Sequence, residues 1–318
     1  AAVSYRAHAQ RCYPSDAEAA RIRARSKKLA LRRDAATGLQ HLRSEEREQL
    51  SVLRNGVSLV PVGSEHRADE IAAELHAAMP WLGAATEEVW HALRRSAQAD
   101  DPGARIPPLL LAGPPGIGKS IWARRLGDLI GVPSIAIDAS GETAGFAVAG
   151  SQRGWASSQP GRTVETIRRT LVGNPVIIVD EIEKAGRVTS DKGHSHNIAD
   201  ALLPLLEPAT ARRWSCPAYR VTFDMSWISW ILISNSTAPL PEPLLSRCRI
   251  VRLGSPGPEH LIQFAWQEGR RRDLSELSIG AIEESIRRLI YVEEKISLRT
   301  VIRQLERAAF LEAKPMVH

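Results

Sequence analysis

Between residues 108 and 253 short apolar runs recur at 108–112, 134–138, 175–179, 228–235 and 249–253, with longer stretches of helical periodicity between them. Runs of this length bounded by turn residues predict buried strands, and their alternation with helices predicts a parallel sheet covered on both faces. Beyond Gly254-Ser255-Pro256-Gly257-Pro258 the strand signal stops. Residues 258–268, 278–289 and 297–311 then carry helical patterns, predicting a small helical domain hinged on that Gly/Pro linker.

Upstream, Ser15 with Glu18 three residues later forms a capping-box signature, opening a basic helix to about Gly38. A second helix is expected from Ser44 to about Asn55-Gly56, then an extended stretch over 57–62. Residues 66–97 predict helix interrupted at Pro80 and Gly83. Three parts follow: a basic helical arm (1–62), an α/β core (63–254) and a helical lid (255–318).

Composition changes this picture little, since 43% hydrophobic and 25% charged residues over 318 positions are ordinary for a globular protein. No apolar run reaches bilayer-spanning length and the first residues lack a secretory apolar segment, so a cytoplasmic protein with no membrane partner is expected. Cys12, Cys216 and Cys248 are far apart, arguing against a disulfide framework, and His194 and His196 have no further ligands at zinc spacing. Charge is uneven. Residues 1–54 hold 12 Lys/Arg against 6 Asp/Glu, a difference of +6 that equals the net charge of the chain. Such an arm suits nucleic acid, an acidic partner or a solvated helix face equally, although only Tyr5 and Tyr13 are present for base stacking.

The chemistry is concentrated at Gly113-Pro114-Pro115-Gly116-Ile117-Gly118-Lys119-Ser120, a complete G-x-x-x-x-G-K-[ST] loop between an expected strand and an expected helix. In that context backbone N–H groups and a helix N-terminus converge on a polyphosphate, with Lys119 placed to reach the terminal phosphates and Ser120 to ligate Mg²⁺. Further on, Val176-Ile177-Ile178-Val179 ends in Asp180-Glu181. Acids at the carboxyl end of a buried parallel strand sit where open α/β sheets bind ligands, so Asp180 is expected to hold the Mg²⁺ shell and Glu181 to polarise the attacking water.

With these motifs placed, residues 67–311 resemble the ATPase module of the Lon family within the AAA+ superfamily. The likeness includes Asn174-Pro175 through Glu183-Lys184, Ala201-Leu202-Leu203 through Leu206-Glu207-Pro208, Ile233-Ser234-Asn235-Ser236 and Pro243-Leu244-Leu245-Ser246-Arg247. The resemblance implies an AAA+ P-loop NTPase fold with a five-stranded parallel sheet, and ATP and Mg²⁺ as cofactors. It also implies that Asn235 orients the water together with Glu181, and that Arg247 serves the neighbouring subunit's γ-phosphate. By the same likeness Arg299 acts as a lid arginine on the nucleotide, and Trp155 is the pore-loop aromatic that grips a polypeptide.

Departures accompany the matches. Only seven residues follow Leu311, so no intrinsic Ser-Lys peptidase activity is expected, and Ser246 stands where the family often has Asp. The leading expectation is a homo-hexameric ring that remodels or threads a protein substrate or partner complex. The alternatives are a nucleic-acid-associated regulator or loader acting through the basic arm or pore, and a nucleotide-switched assembly scaffold.

Overall fold

The computed structural model describes residues 15–36, 38–141, 144–153, 158–185, 188–189, 195–196, 198–291 and 297–313. It divides into two compact units, Ala1–Ser51 and Val52–His318. In the first, the helix Asp16–Ala36 begins at the expected capping box. Glu18 Oε2 accepts from the Ser15 backbone N–H at 2.9 Å, and the Glu18 N–H donates to Ser15 Oγ at 3.4 Å. Ile22 and Leu29 of this helix are exposed. The helix Ser44–Ser51 follows.

The second unit is built on five parallel strands, β1 (Leu109–Ala112), β2 (Ser134–Asp138), β3 (Val176–Asp180), β4 (Ser229–Ser234) and β5 (Arg249–Arg252), in the order β2-β3-β4-β1-β5. Leu110 lies between Leu232 of β4 and Ile250 of β5, and Ile178 lies between Ala136 of β2 and Ile231 of β4. The continuous apolar runs of β1, β3 and β4 are buried on both faces, as a central parallel strand requires. β5 reads Arg-Ile-Val-Arg; both arginines are exposed and Val251 is buried, a pattern suited to an edge.

Helix Glu65–Ala78 is capped by Ser64, whose hydroxyl accepts from the Arg67 N–H at 3.1 Å. Pro80 cannot continue that helix, and a single 3₁₀ turn, Pro80–Leu82, leads into the helix Gly83–Gln98. Residues 52–62, expected with the arm, belong to this unit. Ser58 bridges to Val172, and Asn174 holds Val60 from both sides. The Val60 N–H donates to Asn174 Oδ1 and Asn174 Nδ2 donates to the Val60 carbonyl, each at 2.9 Å. Asn174 is 1% exposed, so no water replaces it. Asn174→Ala is therefore expected to lower the unfolding free energy by about 1–3 kcal/mol, the cost of leaving the Val60 N–H without its acceptor while the Val60 carbonyl keeps the Ala104 N–H, read as a shifted denaturation midpoint at unchanged slope.

Three helices, Pro258–Arg271, Glu276–Tyr291 and Leu298–Ala313, enclose a separate apolar cluster that includes Phe264, Ile279, Ile286, Val301 and Leu305. Trp81 packs against both this cluster and the core of the α/β part.

Candidate active site

The phosphate-loop sequence sits where β1 gives way to the helix Lys119–Ile130. Gly113 leaves the sheet so close to β5 that a Cβ there would lie 2.5 Å from the Leu253 carbonyl oxygen, and glycine alone fits. Gly118 takes φ of +93° immediately before the helix, a left-handed conformation that favours glycine. The turn thus delivers the first helical N–H groups, which have no intrahelical acceptor, to one point at the carboxyl end of the sheet.

Lys119 is 6% exposed. Its ammonium donates to the carbonyls of Gly113 (2.6 Å) and Pro114 (2.8 Å) and to Asn235 Oδ1 (3.2 Å). Burial lowers its pKa, against the opposing charges of Asp180 and Glu183. The Ser120 hydroxyl donates to Asp180 Oδ2 at 2.6 Å, and Asp180 Oδ1 accepts the Glu181 N–H at 2.9 Å. A hydroxyl and a carboxylate in direct contact beside the loop are hard oxygen donors of the kind Mg²⁺ takes alongside phosphate, so this pair fits the expected ion.

Glu181 follows β3 with φ 55° and ψ 38°, a strained backbone for a non-glycine residue. Its carboxylate lines the cleft and accepts from Lys184 Nζ at 2.7 Å. Asn235, just past β4, also lines the cleft, as does Glu181. Its Nδ2 donates to Glu183 Oε1 at 2.7 Å and its Oδ1 accepts from Lys119 Nζ at 3.2 Å. The 3₁₀ turn Ile182–Lys184 swings the second acid of the Glu-Ile-Glu sequence back towards β4.

The cleft measures about 450 Å³. One wall is the loop from Pro115 to Ser120; the other is the start of the last lid helix, with Leu298, Arg299 and Ile302. That helix approaches so closely that a Cβ at Gly116 would lie 3.3 Å from Ser297 Cβ, and one at Gly118 would lie 3.1 Å from Leu298 Cδ1. Arg299 thus faces the same space as Lys119. Arg247 does not. Its guanidinium donates to the Pro243 carbonyl at 2.8 Å and lies 3.7 Å from Glu207, with its side chain about one-third exposed. Trp155 lies outside the described residues; the base of its loop is closed by a bridge between Gly150 and Pro160 and by the Ser151 N–H donating to the Gln159 carbonyl at 3.0 Å.

Two residues at the site were assigned no role from the sequence. Trp81 donates its indole N–H to the Ile117 carbonyl at 2.8 Å while its ring lies against His260 and Phe264, so one side chain ties the phosphate loop to the lid. Glu183 is the other; its signals were the repeated acid after Asp180-Glu181 and its place in the Asn174–Lys184 segment that carries the family likeness.

Residues 109–255 match the family described as ATPase family associated with various cellular activities (AAA). The chain is 31% identical over 211 residues to Lon protease homolog 2, peroxisomal, of Oryza sativa subsp. indica, covering 65% of this chain and 23% of the relative. It is 30% identical over 209 residues to the Lon protease of Nitrosococcus oceani, and 29% identical over 223 residues to that of Koribacter versatilis, in each case covering 65% of this chain and 26% of the relative. The chain thus spans about a quarter of the length of these relatives.

Proposed function

Because this chain carries a Lon-like AAA+ ATPase module, we propose that it is an ATP-hydrolysing ring motor that remodels or threads a protein substrate or partner complex. The observation that carries this reading is one cleft bringing together Lys119, the Ser120–Asp180 pair, Glu181 and Arg299, while Arg247 lies elsewhere on the same chain. A site holding every phosphate-binding element except a finger arginine is suited to completion by a second copy, and a homo-hexamer supplies it at every interface. We assign this work to the cytoplasm, and no peptide-bond cleavage to these residues.

In this reading the loop N–H groups and Lys119 bind the ATP phosphates, with Lys119 exchanging its loop carbonyls for phosphate oxygens. Ser120 and Asp180 would hold Mg²⁺, which when bound would supply positive charge against the phosphates. Glu181 polarises the attacking water, and Asn235 orients that water together with Glu181. Arg299 reports nucleotide to the lid, and Trp155 grips the polypeptide.

A second reading rests on the exposed basic residues of the arm helix, Arg21, Arg23, Arg25, Lys27, Lys28 and Arg32, which suit a nucleic-acid backbone. ATP turnover measured with an unfolded protein and with DNA separates the two. We expect protein to accelerate turnover and DNA to leave it unchanged. Acceleration by DNA that falls steeply with salt and weakens on charge reversal of Arg23, Arg25, Lys27 and Lys28 would overturn the protein-motor reading.

A further inference from the structure

We propose that Glu183 is a positioning residue for ATP hydrolysis, acting through its hydrogen bond to Asn235; the inference rests on the ATPase reading above. Asn235 bridges two groups of opposite charge. Its carbonyl oxygen faces the Lys119 ammonium at 3.2 Å and its amide nitrogen faces Glu183 Oε1 at 2.7 Å. Rotating the amide by half a turn would set N–H against ammonium and oxygen against carboxylate, so the two neighbours define its orientation.

Only one of those neighbours is free to stay in place during turnover. Lys119 has phosphate to bind, and once it turns to the phosphates nothing on its side holds the Asn235 carbonyl. Glu183 keeps its post. It sits on the short turn Ile182–Lys184, outside the cleft lining; the cleft side chain it hydrogen-bonds is Asn235, while its charge also bears on Lys119. Burial pushes its carboxyl up, but hydrogen bonding, with Asn235 Nδ2 donating to Oε1, outweighs this and keeps it below the usual carboxylate range, while Oε2 is buried with no hydrogen-bond partner among the described residues. A fixed carboxylate acceptor therefore commits the Asn235 amide nitrogen away from the cleft. What Asn235 presents to the cleft is an acceptor oxygen, able to hold the Lys119 ammonium or a water proton and unable to donate to phosphate.

The experiment is a double-mutant cycle in the full chain, combining Glu183→Ala with Asn235→Ala and reading kcat, apparent ATP affinity and melting temperature. Each single variant is expected to lower kcat by about 10- to 100-fold, the range of one charge-assisted hydrogen bond, with ATP affinity within about 3-fold of the parent. Because Glu183 acts through Asn235, the double variant is expected to be no slower than Asn235→Ala alone. Glu183→Gln keeps a neutral acceptor for the amide and is expected to recover most of the lost rate, with a melting temperature at the parent value, so a folding defect in the alanine variant leaves the test intact. Multiplicative losses in the double variant, a Glu183→Gln enzyme as slow as Glu183→Ala at an unchanged melting temperature, or full activity in Glu183→Ala would each overturn the inference alone. A parent protein without ATP turnover would overturn the ATPase reading and this inference together.

Discussion

Glu181→Gln is expected to bind ATP with parental affinity and to hydrolyse it at least about 100-fold more slowly, the scale of a lost general base. The substitution is nearly isosteric, and none of the phosphate-binding contacts passes through this side chain: Lys119 is held by Gly113, Pro114 and Asn235, and Ser120 by Asp180. What is removed is the carboxylate charge that lines the cleft and now pairs with Lys184. Lys119→Ala is the contrasting case. It deletes the buried cation and leaves the Gly113 and Pro114 carbonyls and Asn235 Oδ1 without their donor, so nucleotide binding itself is expected to fall. Equilibrium binding of ATP measured beside single-turnover hydrolysis separates the two effects. Near-parental turnover in Glu181→Gln would remove it from the water-activating role.

The larger effect is expected from Arg247→Ala, a loss of about 10³-fold or more in hydrolysis with binding retained, as for an arginine that meets charge developing on the transferred phosphoryl group. Arg247 contacts Pro243 and Glu207 and is not part of the cleft lining of its own chain, so in the proposed ring its target would lie on another copy. Complementation tests this directly. Arg247→Ala keeps an intact cleft without a finger, and Lys119→Ala keeps a finger without a working cleft. Mixing the two inactive proteins is expected to restore turnover at interfaces where the Lys119→Ala copy lends its arginine to the other's site. A mixture that stays inactive while both proteins assemble, or an undiminished specific rate of the parent on dilution to monomers, would contradict a shared site.

Much of this architecture was legible because it is written in contiguous residues. An unbroken apolar run such as Leu109-Leu110-Leu111 can only be a buried strand or helix, and its length together with the glycines that follow selects the strand. The five observed strands accordingly fall within a residue or so of the runs at 108–112, 134–138, 175–179, 228–235 and 249–253. The phosphate loop is local in the same sense: eight consecutive residues carry its backbone geometry, its cation and its hydroxyl. Capping at Ser15 and the helix break at Pro80 are likewise decided by neighbours in sequence.

What sequence alone determined about this protein was therefore its strands, its helix ends and the makeup of its phosphate loop, each set by spacing over a few residues. Tertiary structure decided which distant groups share a hydrogen bond. Asn235 is 52 residues from Glu183 and 116 from Lys119, and no local pattern told that its amide would meet Glu183. Asn174 reaches back 114 residues to tie Val60 to the sheet-bearing unit, and Trp81 joins Ile117 to the lid. In each case a buried donor or acceptor must find a partner once water is excluded, and which partner lies within reach is settled only when the sheet and its covering helices have packed.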